Sequence, residues 1–268
     1  MNKTSIITLI ISIVVNVGLF AQDINKFDES GKHHGKWTKY YAGQPVIRYE
    51  GQFEHGVPVG EFKYFYETGK LQTVANYSEK GTVCSTVSYF GNGTKLAEGV
   101  YLNREKDGKW VFYDGHSNVI AVDYYKNELK HGKCIVYHPT GELIEEVNYE
   151  KGIQHGMWKR YFKNGNLHFQ GNVENGKWDG PYVFNYPDGK KLVVGVYEHA
   201  LKQGDWLYYD DQGQLIKVES YKKGKMSSKK VFQKEKDIDY IELKEAERIL
   251  EKMKSGEHDN AAPKTPFD

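Results

Sequence analysis

The residues best suited to chemistry in this chain are histidines, three of which directly precede a glycine that begins a sequence repeat: His34, His131 and His155. If the chain forms stacked hairpins, the spacing between His131 and His155 places them one unit apart, roughly 9–10 Å. Two ligands of one zinc ion must both lie within about 2.1 Å of it. The histidines are therefore interpreted as turn residues, and we expect no metal site.

Other reactive groups also lack the partners that catalysis needs. The sequence contains no Gly-x-Ser-x-Gly elbow, and its glycines do not follow the spacing of a phosphate-binding loop. Carboxylates such as Asp107, Asp179 and Asp188 are predicted to be solvated. We therefore expect no catalytic residues, no cofactor and no enzymatic activity. Because 37 Lys and Arg are balanced by 36 Asp and Glu, the chain also lacks the basic excess of a nucleic-acid-binding protein.

The histidines and carboxylates named above lie within a sequence repeat of about 24 residues, which occurs eight times. Position 0 of the repeat is Gly35, Gly60, Cys84, Gly108, Gly132, Gly156, Gly180 and Gly204. Most repeats carry a large aromatic residue at position 2, Tyr or Phe at position 5, and Tyr at position 17. Since these positions stay in register along the chain, the repeat sets the architecture.

Each unit is predicted to form two short strands joined by a tight turn. The turn glycine at position 9, which permits a positive φ, is Gly69, Gly93, Gly141, Gly165, Gly189 and Gly213. Because a lone hairpin is marginally stable, we expect the units to stack into an all-β, elongated tandem β-hairpin sheet or solenoid. Positions 2 and 5 have opposite parity, so either both faces are covered or a bulge resets the register.

The recurring aromatic residues are predicted to form the structural core of the repeats. They are Trp37, Phe62, Trp110, Trp158, Tyr182 and Trp206 at position 2, and Tyr77, Tyr101, Tyr125, Tyr149, Tyr197 and Tyr221 at position 17. Alternatively, an exposed aromatic face could stack on sugar rings or anchor a protein partner. The repeat register also separates Cys84 from Cys134 by roughly 19 Å, so both are expected to be free thiols.

The N-terminal segment differs from the repeats. Lys3, an apolar run from Ile6 to Phe20 and a small residue, Ala21, are typical of a signal peptide over residues 1–21. The alternative, an uncleaved anchor, is disfavoured because the run is short for a ~30 Å hydrocarbon core. We therefore expect a periplasmic or secreted protein with no integral membrane span after cleavage.

The remaining boundaries follow from where the repeat begins and ends. A lead-in covers residues 22–34, the repeats cover 35–227, a linker and helix cover 228–256, and a disordered tail covers 257–268. The helix is predicted from the helical spacing of Leu243, Ala246, Leu250 and Met253. We expect it to cover the open edge of the last strand, and the alternative is that it binds a partner helix.

The repeat resembles the MORN-repeat variant of bacterial proteins, whose units follow Gly-x-Trp-x-x-Tyr-[Tyr/Phe]-x-x-Gly-x-Leu. The run from Gly156 to Leu167 matches this pattern, as does the run from Gly204 to Leu215. Cys84, Thr86, Ser117 and Cys134 depart from the pattern at single positions. The resemblance implies binding or scaffolding, with no catalytic residues to carry over.

Three functions remain open at this stage. The first is an exported, non-catalytic repeat protein whose elongated surface binds an unidentified protein partner. The second is an antitoxin or immunity-type protein, which is implied only by labels given to some relatives. The third is a protein that binds cell-envelope glycans through exposed aromatic residues.

Overall fold

The structure is a computed structural model that describes residues 24–232, and it confirms the predicted elongated array of antiparallel β-hairpins. Successive strands pair along the chain into one 19-stranded sheet. The strands are β1 (Lys26–Phe27), β2 (His33–Tyr40), β3 (Ile47–Glu54), β4 (Val57–Phe65), β5 (Leu71–Ser78), β6 (Val83–Tyr89), β7 (Lys95–Leu102), β8 (Glu105–Tyr113), β9 (Val119–Lys126), β10 (Leu129–Lys130), β11 (Gly132–Tyr137), β12 (Leu143–Glu150), β13 (Ile153–Tyr161), β14 (Leu167–Glu174), β15 (Lys177–Asn185), β16 (Lys191–Glu198), β17 (Leu201–Tyr209), β18 (Leu215–Lys222) and β19 (Lys225–Val231).

Two predicted elements fall beyond these limits. The signal segment 1–21 and the helix expected within 239–254 lie outside the described residues. Residues 228–231, where the linker was expected to begin, instead belong to β19, in which Val231 pairs with Lys217 of β18. Between residues 24 and 232, no helix has the length and apolar character needed to cross a bilayer.

The tight turns lie where the sequence predicts them. Gly165 has φ +84° and Gly69 has φ +78°, a backbone conformation that favours glycine. The Gly69 N–H donates to the carbonyl oxygen of Tyr66, which closes the turn. In the fourth repeat Ser117 takes the same conformation, with φ +74°.

Positions 2 and 5 lie on opposite faces, and both faces are partly covered: Trp158 is buried on one, and the Tyr161 hydroxyl donates to Glu146 on the other. Every repeat also contains a bulge. In the sixth repeat Arg160 pairs with Phe169 and Tyr161 pairs with Leu167, so His168 is the extra residue. Two residues on one strand thus oppose one on its neighbour. The residues that occupy this bulge position, position 12 of the repeat, are Arg48, Gln72, Leu96, Ile120, Ile144, His168, Leu192 and Ile216. The first repeat has one extra residue, so its later positions are numbered to match the other repeats.

The core lies on one face of the sheet, which carries positions 2, 4, 13, 15 and 17 and is called the inner face below. Its buried residues form two clusters, one containing Phe62, Tyr101 and Trp110 and the other containing Trp158 and Trp206. The clusters are separated at β9 to β11, where Cys134 stands in place of an aromatic residue. The inner face is therefore not uniform along the array.

Small residues at position 15 allow the rings to lie flat on the sheet. A Cβ atom built on Gly51, Gly99 or Gly195 would overlap the ring of the next repeat. These rings belong to Phe62, Trp110 and Trp206 respectively. Each such glycine therefore provides the surface on which the aromatic residue of the following unit packs.

Candidate functional site

The aromatic residues predicted as core are mostly closed to solvent. Phe62, Trp110, Trp158, Tyr182 and Trp206 are buried at position 2, as are Tyr77 and Tyr101 at position 17. Four more tyrosines are half-buried and pack against the two clusters: Tyr125, Tyr149, Tyr197 and Tyr221.

Trp37 is half-buried because it lies in the first full strand, with fewer neighbours. Its ring centre lies 5.2 Å from that of Phe27 and 3.7 Å from that of His33. Among the four tryptophans at position 2, only Trp37 has an open side. Sugar stacking on a ladder of tryptophans is therefore not supported by the arrangement of these rings.

The inner face changes character along the array. In the last two repeats, the bulge position holds the buried Leu192 and Ile216, and position 4 holds Phe184 and Tyr208. In the first two repeats, the bulge position instead holds Arg48 and Gln72, and position 4 of the first repeat holds Lys39. The positions that supply core side chains at one end thus supply polar and charged groups at the other.

A groove of about 980 Å³ lies on the inner face at this polar end, and we call it the inner groove. Its aromatic lining residues are Tyr41, Tyr49, Phe53, Phe62, Tyr64 and Tyr77. Its cationic lining residues are Lys39, Arg48, Lys80 and Arg104, and Glu67 is the one carboxylate among the lining residues.

The tyrosines of the inner groove are held by one another. The ring centres of Tyr49 and Tyr64 lie 5.9 Å apart, and the hydroxyls of Tyr64 and Tyr77 lie 3.0 Å apart. Burial raises the pKa of Tyr64 and of Tyr77 above the ordinary value of a phenol. Both hydroxyls therefore stay protonated at neutral pH and can donate hydrogen bonds.

Cys84 lies beside this tyrosine pair but has no nucleophilic character. It is buried, and burial raises the pKa of its thiol to about 11. The thiolate is the reactive form, so this thiol is inert at neutral pH. The local chemistry of the inner groove consists of aromatic contact, hydrogen bonding and positive charge, which suits binding.

A second polar cluster lies at the interruption between the two core clusters. Lys130 Nζ is 2.9 Å from Asp123 Oδ2, and the hydroxyl of Tyr125 donates to the same oxygen at 3.3 Å. Burial alone lowers the pKa of Lys130, but the Asp123 carboxylate outweighs it, so the pKa is raised. The buried Asp123 thus has its partners within the cluster, which indicates a structural role.

Lysines cover several of the aromatic rings, a feature that the repeat pattern did not predict. Lys106 Nζ lies 5.3 Å from the Trp110 ring, and Lys202 Nζ lies 4.3 Å from the Trp206 ring. Such cation–π contacts add to the stability of the stack. The signal was present in the sequence as a lysine four residues before the tryptophan in both repeats.

The segments that match a known protein family lie in the same register as the 24-residue repeat. Four segments match the sequence model of the MORN repeat variant: residues 58–79, 130–151, 154–175 and 202–223. No curated protein matches the chain significantly. Within residues 24–232, no three His, Cys, Asp or Glu side chains are grouped so that they could hold a metal ion.

One similar solved chain belongs to the "Crystal Structure of TcdB2-TccC3-Cdc42". It is 11% identical over 60% of this chain and 12% of that chain, with a TM-score of 0.18. The similarity therefore spans a small part of that chain, and at this TM-score it supports no structural argument.

Proposed function

Because this chain carries tandem MORN-variant repeats in one continuous sheet, we propose that it is an exported, non-catalytic scaffold that binds a protein partner in the inner groove. Export is supported by the signal pattern of residues 1–21. The non-catalytic assignment is supported by the raised pKa of the Cys84 thiol and by the structural pairing of Asp123.

One observation supports placing the binding site in the inner groove. Repeat positions that hold core residues such as Leu192 and Ile216 hold Arg48 and Gln72 at the inner groove. Sequences that fold well are locally consistent, and departures from that consistency concentrate at functional sites. Tyrosine and arginine are also enriched among residues that dominate protein–protein binding energy.

Photo-crosslinking in the native host tests the binding proposal. A photoreactive residue at Lys39, an exposed position of the inner groove, is expected to yield a discrete covalent adduct with another protein. Lys63 provides the control, because it pairs with Glu50 and points to the opposite face. Equal labelling from both positions, or no protein adduct from Lys39, would contradict the proposal.

Export has a separate test. The intact mass of the purified mature chain is expected to correspond to cleavage after Ala21, with Gln22 as the new N-terminus. A mass that includes residues 1–21 in the exported fraction would contradict cleavage.

Glycan binding is a second candidate, favoured by the half-buried Tyr49 and Tyr64 in the inner groove. It predicts retention on cell-envelope polysaccharide that is lost in Tyr49→Ala. The antitoxin alternative rests on the resemblance alone, so the identity of the cross-linked protein decides it.

A further inference from the structure

We propose that the ligand of the inner groove is an acidic polypeptide segment, bound in an extended conformation that crosses the strands of the first repeats. This inference rests on the proposed function and names the chemistry of the partner. Charge, length and the placement of the cations each support it.

The charge of the inner groove contrasts with that of the whole chain. Four cationic residues line it against the single carboxylate of Glu67, whereas the chain as a whole has a net charge of only +1. Lys39, Arg48, Lys80 and Arg104 are all exposed. A cleft lined by one sign of charge attracts a ligand of the opposite sign and raises its rate of association.

The length of the inner groove exceeds what a small molecule needs. Its cations extend from β2, which carries Lys39, to the turn after β7, which carries Arg104. Five strand spacings of about 4.8 Å give roughly 24 Å, and an extended chain covers that distance with about seven residues. The volume of about 980 Å³ lies at the upper end of the range for drug-sized ligands.

The cations lie on both rims, which suits an extended polypeptide. Lys39 and Arg48 flank the turn between β2 and β3, whereas Lys80 and Arg104 lie in turns at the opposite edge of the sheet. Successive side chains of an extended polypeptide point in opposite directions. Carboxylates on adjacent residues of one acidic segment can therefore point towards opposite rims while its backbone lies over the tyrosines.

A neutral sugar fits this surface less well, because the floor offers little open ring area. Phe62 is 1% exposed, and its ring contacts the edges of Phe53 and Tyr77 at centroid distances of 5.1 and 5.2 Å. Tyr49 and Tyr64 are inclined to each other by 47° and do not form a common plane.

The test uses the mature full-length chain and a fluorescent decapeptide in which pairs of adjacent Glu residues alternate with pairs of Tyr residues, so that carboxylates project from both sides of the extended backbone. At low ionic strength, where screening is weak, we expect it to bind at least about tenfold more tightly than the same peptide with Gln in place of Glu. The double variant Arg48→Glu with Arg104→Glu should lose at least about tenfold in affinity.

A matched control separates the inner groove from net charge. Lys163→Glu with Lys177→Glu makes the same change in net charge at exposed sites of the sixth repeat, and it should bind the acidic peptide normally. Unchanged melting temperatures of both double variants show that folding is intact.

Three outcomes would overturn the inference: equal binding of the Glu and Gln peptides, equal loss in the control variant, or groove-dependent binding of polygalacturonate without peptide binding. The last outcome would identify an anionic glycan instead. A protein adduct from Lys39 together with failed peptide binding would leave the proposed function intact and reject only the acidic segment.

Discussion

The indole ring of Trp206 lies against the backbone of Gly195, in the space that a Cβ atom on that residue would occupy. The indole N–H donates to the carbonyl oxygen of Val196 at 3.3 Å, which fixes the ring in this place. A glycine on one strand thus determines where the aromatic residue of the next hairpin can pack.

Gly195→Ala is therefore expected to lower the free energy of unfolding by about 1–3 kcal/mol, because the added methyl group overpacks the contact with Trp206. Gly91→Ala is the control, since no atom lies within 4 Å of its Cβ position and its φ is not in the left-handed region. Denaturant unfolding of both variants measures the difference. Equal losses of stability in the two variants would show that the close packing at Gly195 does not affect the free energy of unfolding.

Trp206→Ala should lower the free energy of unfolding by about 3–5 kcal/mol, because it empties a site that is 2% exposed. Trp37→Ala should cost less, about 1–2 kcal/mol, because that side chain is half-buried. Thermal or denaturant melting compares the two. If Trp37→Ala kept full stability yet lost retention on polysaccharide, the glycan alternative would regain support at the first repeat.

Restoring the repeat pattern at the interruption should stabilise the chain. Asp123 of the fourth repeat and Cys134 of the fifth occupy the positions of Gly195 and Trp206, and Lys130 occupies that of Lys202. Cys134→Trp alone should be destabilising because the ring meets the Asp123 side chain, whereas Asp123→Gly alone leaves Lys130 unpaired. The free energy of unfolding of the double variant should exceed the value expected from adding the two single effects by about 1–3 kcal/mol.

A double-mutant cycle in denaturant measures that coupling. Additive single effects, with no favourable interaction in the double variant, would show that the glycine–tryptophan pair cannot be transferred between repeats.

His168 makes stability depend on pH. Its pKa is lowered to about 4, first by burial and then by the charge of Arg160. An unfolded histidine titrates near 6.5, so the unfolded chain binds the proton more strongly. Because the half-buried His168 is partly screened by solvent, stability should be full above about pH 6.5 and fall by about 1–2 kcal/mol as pH decreases towards 4.

His168→Leu isolates this contribution, because Leu192 occupies the same bulge position in the next repeat. Between pH 6.5 and 5, above the range in which most carboxylates titrate, the variant should lose less stability than the native chain. Parallel pH dependences would show that His168 is not the group responsible.

Both cysteines should be present as unreactive thiols. Burial raises the pKa of Cys84 to about 11 and that of Cys134 to about 12. We expect a thiol reagent to modify neither residue rapidly in the folded chain at pH 7.5 and to modify both after denaturation without reductant. A disulfide in the unreduced chain would contradict the register of the repeats.

The period of the repeat was sufficient to predict the hairpins, the turns at residues such as Gly165, and the core position of Trp158. It was not sufficient to predict the bulge at position 12. Regular alternation correctly places Tyr161 and Trp158 on opposite faces, but only the pairing of Tyr161 with Leu167 reveals the extra residue His168. Such an insertion depends on neighbouring strands, which strand periodicity alone does not specify.

The candidate site was predicted less completely. Gly51, Gly99, Gly171 and Gly195 recur in the sequence, but their role depends on rings that belong to the next strand. Arg48 and Gln72 likewise appear ordinary until the bulge places them where Leu192 and Ile216 are buried. Their significance lies in a comparison between structurally equivalent sites, which requires the register of the sheet.

The gap between the two aromatic clusters has a consequence for cooperativity. A repeat array behaves as a row of units coupled to their nearest neighbours, and the row separates where coupling is weakest. At β9 to β11 the coupling depends on the ion pair of Asp123 with Lys130, without a ring stacked on glycine. Heating or pulling should therefore divide the array there, so that the half bearing the inner groove and the more apolar half unfold as separate cooperative blocks.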